Sequence, residues 1–174
     1  MKGKHHIVIE SPRLKYEFDI KRNITIVQGD SATGKTTLVD LLQAYEREGS
    51  NSPIHLISDV QCTVFSDNSP RWRQALELIQ DAIVFIDEGN PFIFTKEFAE
   101  AVQGSSNYYV LITRQPLSFL PYSIKEIYGI KTSGKYHFPQ KIYHEFYEIY
   151  PDLQDQQIDY HGNYILITKD AKST

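Results

Sequence analysis

Cysteine is nearly absent from this chain of 174 residues, in which Cys62 is the single example. One cysteine excludes an intrachain disulfide framework and a cysteine-rich zinc site. The first ten residues are basic, but their apolar stretch is far too short for a signal peptide or a membrane span. We therefore expect a protein of the reducing cytoplasm with no membrane span.

An excess of positive charge is also lacking, because the formal net charge is −4 at pH 7. This balance provides no broad attraction to nucleic acid or to an anionic membrane, although local basic patches remain open. The hydrophobic share of 41% and the charged share of 23% are typical of a soluble globular protein. The length predicts a single domain over residues 1–174.

Residues 29–37 read GDSATGKTT and fit the phosphate-binding pattern GxxxxGK[ST] at every required position. Such a loop can aim several backbone N–H groups at one phosphate chain, because glycine tolerates positive φ angles and close approach. We expect Lys35 to reach the β- and γ-phosphate oxygens and the Thr36 hydroxyl to ligate Mg²⁺. The predicted nucleotide-binding residues are Gly29, Asp30, Ser31, Ala32, Thr33, Gly34, Lys35, Thr36 and Thr37.

The sequence on both sides of this loop agrees with the pattern. Residues 24–27 are a β-branched run, and residues 37–42 carry apolar side chains at helical spacing. The predicted order is therefore strand, glycine loop and helix, which is the context that the motif requires.

A second stretch, residues 82–88, reads AIVFIDE. An uninterrupted apolar run followed by two acids indicates a strand buried on both faces, and it ends at the carboxyl edge of a parallel sheet, where ligands bind. We expect Asp87 to hold the Mg²⁺ of a bound nucleotide and Glu88 to orient or deprotonate an attacking water.

A third stretch, residues 108–113, predicts another buried strand, and Arg114 follows it. Strands of this type lie beside the phosphate-loop strand in many nucleoside-triphosphate hydrolases, and a polar residue at the tip can sense the γ-phosphate. Thr113 and Arg114 are the candidates, with Arg114 favoured because a guanidinium matches phosphate geometry. The alternative is that Arg114 pairs with Asp87 or with a neighbouring loop.

The remaining pattern predicts further elements. These are a hairpin in residues 6–10 and 14–20, strands in 54–58 and 62–65, a helix from Ser69 and Pro70 to Gln80, a short helix in 94–102, and a hairpin in 126–131 and 135–138. Apolar offsets of three and four predict an amphipathic helix over residues 140–150, whose aromatic side chains either pack in the core or form a base-stacking or partner surface. A terminal hairpin is expected within residues 158–167, so the helix and hairpin form an extension over about 135–168.

Together, GDSATGKTT, AIVFIDE and YYVLITR resemble the P-loop ATPases that have a catalytic glutamate beside the Mg²⁺ aspartate, the class of ABC-type, RecF/SMC-type and AAA-type ATPases. The resemblance covers about residues 14–131. It implies an α/β, three-layer P-loop NTPase fold with a mostly parallel central sheet and an antiparallel N-terminal hairpin. It also implies an ATPase that uses ATP and Mg²⁺, with Glu88, Lys35 and Arg114 as catalytic residues.

Within that class, the N-terminal hairpin and the LITRQP stretch look ABC-like, and Arg114 stands where an ABC protein has its switch histidine. The chain has no LSGGQ-like signature, and the segment from Lys35 to Asp87 is too short for the helical subdomain that carries it. The resemblance is to a stripped core and not to a transporter ATPase. DNA as a partner follows only from the RecF/SMC likeness.

The stretch IDEGNPF also resembles the IDEGQFF-type sequence of the thymidine kinase family, in which the glutamate is the base for the nucleoside hydroxyl. Asn90 departs from that pattern, and the zinc-binding cysteines of the family are missing. A kinase would need a basic lid, for which Arg71 and Arg73 are the candidates. A third possibility is a nucleotide-gated binding module with negligible turnover, whose tyrosine-rich C-terminal part contacts a protein partner or a second copy.

Overall fold

The computed structural model describes residues 3–29, 34–133 and 141–151. In this part of the chain, strands build one sheet and helices pack against it. The strands are β1 (His5–Glu10), β2 (Leu14–Ile20), β3 (Ile24–Val27), β4 (His55–Ile57), β5 (Gln61–Val64), β6 (Ala82–Asp87), β7 (Tyr108–Ile112), β8 (Ile127–Thr132) and β9 (Ile142–Glu148). The helices are α1 (Lys35–Glu48), α2 (Trp72–Glu77) and α3 (Lys96–Gln103), with 3₁₀ turns at Gly49–Asn51, Pro91–Phe94 and Ile124–Glu126.

The strands follow the order β4-β1-β2-β9-β8-β3-β7-β6-β5. From β8 to β5 every neighbouring pair is parallel. On the other side, β1 pairs antiparallel with β2 and β4, whereas β9 is parallel to β2 and antiparallel to β8. The α/β class and the antiparallel N-terminal hairpin are therefore confirmed, and the sheet as a whole is mixed.

Helices cover both faces of the parallel side of the sheet. Successive residues of β6 alternate between two apolar clusters: Ile83 and Phe85 pack with Leu38 of α1, and Val84 and Ile86 lie in the other cluster. That second cluster contains Trp72 of α2 and Phe98 of α3, as well as Phe92. Because both faces are covered, the inner strands are apolar along their length, as the continuous runs in the sequence predict.

The helices depart from prediction mainly at their ends. The helix expected from Ser69 to Gln80 is shorter, Trp72–Glu77, and α3 begins at Lys96 after a 3₁₀ turn. Thr95 sets that start, because its hydroxyl accepts the N–H of Phe98 at 3.2 Å. Within the described ranges, no helix combines the length and the apolar character needed to cross a membrane.

The predicted amphipathic helix over residues 140–150 is wrong, because this segment forms β9 between β2 and β8. Its aromatic and β-branched residues suit a strand, and pairing on both edges outweighs the helical spacing. Phe146 stacks on Phe18 of β2 with ring centroids 4.0 Å apart, which ties β9 to the N-terminal hairpin. The strand predicted over 135–138 and the terminal hairpin lie outside the described residues.

Asn107 ties the turn before β6 to the start of β7. Its side chain is buried, with 3% exposure, and Oδ1 accepts the N–H of Ala82 at 3.0 Å. Nδ2 donates to the carbonyl of Ile79 at 2.7 Å. One buried amide thus bonds two backbone groups, the N–H at the start of β6 and the carbonyl of Ile79, and it holds the entry to β6 in place.

We predict that Asn107→Ala lowers the free energy of unfolding by about 2 kcal/mol, because it leaves both backbone groups without a partner. Ser106→Ala is the matched control: the Ser106 hydroxyl accepts the N–H of Asp81 at 3.0 Å in an exposed position, where water can replace it. Urea denaturation of both variants measures the difference. Equal losses would contradict a special role for Asn107.

Candidate functional site

The loop that carries the GxxxxGK[ST] pattern joins the end of β3 to the start of α1. The predicted order of strand, loop and helix is therefore confirmed. Gly29 has φ 141° and Gly34 has φ 93°, which are backbone conformations that L side chains rarely adopt. Asp30, Ser31, Ala32 and Thr33 lie outside the described residues, so the geometry of the site begins again at Gly34.

The N-terminus of α1 is suited to an anion. Gly34 is its N-cap, no side chain caps it, and the first turn contains no acidic residue. The backbone N–H groups there lack intrahelical partners, and the helix dipole adds partial positive charge. The ammonium of Lys35 donates to the carbonyl of Gly29, which holds this cation across the loop. Anions bind readily at such a helix end.

Asp87 ends β6 and is held in one orientation. Its Oδ1 accepts the N–H of Gly89 and the side-chain amide of Asn90, each at 3.0 Å. Asn90 is buried, with 1% exposure, and its Oδ1 accepts the hydroxyl of Ser66 at 3.1 Å. In the sequence, Asn90 stands out only because it departs from the thymidine kinase pattern, and that departure does not predict its contact with Asp87. The only signal in the sequence is an amide three residues after an acid in a turn, where local side-chain hydrogen bonds are common.

Glu88 is paired with Arg114. The backbone N–H of Arg114 donates to Oε2 of Glu88 and its Nε donates to Oε1, each at 2.7 Å. Burial alone raises the pKa of Glu88, but the Arg114 hydrogen bonds and the charges of Arg114 and Lys35 outweigh it and hold the pKa below its ordinary value. Of the alternatives for Arg114, the structure shows an ion pair, and the partner is Glu88 rather than Asp87.

Thr113 does not face the cleft that Arg114 lines. Thr113 is fully buried. Its hydroxyl donates to the carbonyl of Gln115 at 3.1 Å and accepts the N–H of Gln115 at 3.0 Å. The hydroxyl thus serves the turn after β7. Of the two candidates at the tip of this strand, only Arg114 is placed to meet a ligand.

The two motifs meet in one cleft of about 320 Å³. The cleft is lined by Gly34, Lys35, Thr36, Thr37, Val39, Asp87, Glu88, Gly89, Ile112 and Arg114. Strand register explains the meeting, since Ile112 is the pairing partner of both Val27 and Asp87. The three parallel strands therefore end level with one another, and the residues that follow them lie at the same edge of the sheet.

Four further clefts among the described residues are lined by neither motif. One of about 540 Å³ is lined by Arg73 and Glu77 and lies by the opposite ends of β6 and β7, near Asp81 and Tyr109. Arg73 pairs there with Glu77 at 3.0 Å. Among the described residues that line the cleft of the two motifs, neither Arg71 nor Arg73, the candidate lid residues, is found.

The donor set in the motif cleft fits Mg²⁺ held together with a phosphate ligand. Thr36 and Asp87 both line the cleft, and both carry oxygen donors, which Mg²⁺ prefers. Oδ2 of Asp87 accepts no hydrogen bond from the described residues, so it is available to a cation. Over the same ranges, no three His, Cys, Asp or Glu side chains form a metal-binding group. Mg²⁺ usually takes only one or two protein carboxylates beside substrate phosphates.

Comparisons with known proteins do not identify a function for this cleft. Comparison with protein-family models, with curated proteins and with solved structures finds no match. A functional conclusion therefore depends on the residues and the geometry of the cleft.

The Glu88–Arg114 pair predicts a pH effect. A lowered pKa contributes stability that is present above the unfolded-state pKa of about 4.3 and is lost as the pH falls through the lower native value. Arg114→Ala should therefore raise the pKa of Glu88, which carboxyl NMR titration measures, and it should reduce the stability lost between pH 6 and pH 3.

Arg47→Ala is the control, because Arg47 pairs at the surface with Glu48 at 3.3 Å and does not line the cleft. It should leave the titration of Glu88 unchanged. An unaltered pKa of Glu88 in Arg114→Ala would contradict the assigned cause.

Proposed function

We propose that the chain binds MgATP in the cleft between the Gly34 end of the glycine loop and the acids Asp87 and Glu88, and that it hydrolyses ATP to drive a conformational change or the binding of a partner. One observation carries the proposal: Lys35 and Thr36 of the first motif line the same cleft as both acids of the second. The two motifs are distant in sequence, and each supplies a different part of one phosphoryl-transfer site.

Lys35 and the N–H groups at the start of α1 would hold the β- and γ-phosphates. The helix end adds partial positive charge without a competing acidic side chain. In this chemistry the protein mainly positions groups and stabilises charge. The position of β7 beside β3 also supports the proposal, because the strand that carries Arg114 is expected next to the phosphate-loop strand.

Thr36 and Asp87 would hold the metal. When bound with the nucleotide, Mg²⁺ would neutralise negative charge on the phosphate oxygens. Gly89 and Asn90 fix one oxygen of Asp87, so the carboxylate keeps its orientation, and no described residue donates a hydrogen bond to the second oxygen. Asn90 is therefore a positioning residue in this proposal.

Glu88 would accept a proton from the attacking water. Its lowered pKa keeps it ionised at neutral pH, as a base must be, and a carboxylate has about four lone-pair sites, so the two hydrogen bonds from Arg114 leave room for a water. A low pKa also weakens a base, which favours slow turnover. The Glu88–Arg114 pair therefore favours a second candidate, a nucleotide-gated binding module with little turnover.

We predict that Lys35→Ala abolishes tight binding of MgATP, because the substitution removes the cation that holds the phosphates. Isothermal titration calorimetry measures the affinity. Lys96→Ala is the control, since Lys96 is an exposed residue at the start of α3 and does not line the cleft. Wild-type affinity in Lys35→Ala would overturn the phosphate-loop assignment.

We predict that Glu88→Gln keeps MgATP binding and lowers ATP turnover by about 10²- to 10⁴-fold, the usual contribution of a general base. Phosphate release from wild type, Glu88→Gln and the surface control Glu77→Gln measures it. Unchanged hydrolysis in Glu88→Gln would remove this residue from the mechanism. Negligible hydrolysis by the wild type with retained binding would favour the binding module, and transfer of label from ATP to nucleosides or small alcohols would favour a kinase.

A further inference from the structure

Tyr16 of β2 contacts the glycine loop at its last residue, Gly34. The residue is fully buried, and its hydroxyl donates to the carbonyl of Gly34 at 2.9 Å. The same carbonyl accepts the N–H of Leu38 at 3.0 Å, the first hydrogen bond of α1. Strand β2 and the helix therefore share one backbone oxygen, and Tyr16 joins the sheet directly to the N-terminus of α1.

His144 of β9 stacks on the Tyr16 ring. The two residues are pairing partners on parallel strands, and their rings stack with centroids 4.6 Å apart and planes 18° apart. A Cβ atom at Gly34 would lie 2.8 Å from the Tyr16 hydroxyl oxygen and 3.5 Å from Cε1 of His144. The ring pair thus fills the space where any larger residue at Gly34 would need to fit.

The tyrosine hydroxyl keeps its proton at neutral pH. Burial raises the pKa of Tyr16 to about 12, against a smaller lowering by a hydrogen bond with the Thr37 side chain. Tyr16 is therefore a constant donor to the carbonyl of Gly34.

The geometry points to Tyr16, supported by His144, as a positioning residue for phosphate binding, an inference that rests on the proposed function. The carbonyl of Gly34 and the N–H of Lys35 belong to one planar peptide unit, so a hydrogen bond that fixes the carbonyl also fixes the direction of the N–H. That N–H lies at the helix end where the phosphates would bind. Tyr16 thereby fixes the direction of an N–H group that would donate to a phosphate, and it does so without touching the nucleotide.

The test measures binding of magnesium pyrophosphate by calorimetry, because this probe contacts the phosphate site alone. Tyr16→Phe keeps the ring and its stack but removes the hydrogen bond, and it should raise the Kd about 3- to 10-fold, the effect of one hydrogen bond. Tyr109→Phe is the matched control, since this buried tyrosine donates to the hydroxyl of Ser105 at the same distance of 2.9 Å. Both variants should lose thermal stability, but only Tyr16→Phe should lose affinity.

The His144 variants separate positioning from general packing. His144→Phe keeps a ring against Tyr16 and should bind pyrophosphate as the wild type does, whereas His144→Ala removes the stack and should weaken binding. If the wild type binds pyrophosphate and neither Tyr16→Phe nor His144→Ala changes the Kd, this inference is overturned and the proposed function is left intact. A wild-type protein that binds neither pyrophosphate nor MgATP would overturn both. If Tyr16→Phe does not fold, the comparison of the two His144 variants decides.

Discussion

The level ends of three parallel strands are the constraint on which the rest of the site depends. Val27 of β3, Ile112 of β7 and Asp87 of β6 lie in one row of the hydrogen-bonded ladder. A register shift of two residues in β6 would move Asp87 by about 6.6 Å along the sheet, beyond the reach of a ligand held at the glycine loop. Continuous burial of these strands against helices on both faces opposes such a shift, because it would displace every apolar side chain of the strand.

Balanced charge is the second feature of the cleft. Lys35 and Arg114 line it together with Asp87 and Glu88, although the chain as a whole is acidic. Since the Arg114 guanidinium already binds Glu88, a bound polyanion would compete with this carboxylate for the same cation. In the proposed function, nucleotide binding and the freedom of Glu88 would therefore be linked through Arg114, which would connect hydrolysis with the slow turnover that the ion pair favours.

Strand β9 connects the two halves of the sheet, the antiparallel N-terminal part and the parallel part. It also brings His144 against Tyr16, and so places a residue from the last part of the described chain next to Gly34. Spacing within residues 142–147 satisfies a helical period, but the partners that decide between helix and strand are Leu14–Ile20 and Ile127–Thr132. The spacing within a segment carries no information about which strands lie on either side of it, and β2 is more than 120 residues away in the chain. This explains why the predicted helix was wrong.

The sequence by itself determined the strand–loop–helix unit around Gly34, the buried runs of β6 and β7, and the presence of Asp87 and Glu88 at a strand end. These features depend on local properties, namely the conformations open to glycine and apolar runs that require burial on both faces. Only the tertiary structure decided that Glu88 pairs with Arg114, that Asn90 holds Asp87, and that Tyr16 reaches the carbonyl of Gly34. The first contact joins the ends of two strands, the second closes a turn, and the third joins a strand to the N-terminus of α1. Each therefore depends on register and backbone geometry, which no spacing of residue types encodes.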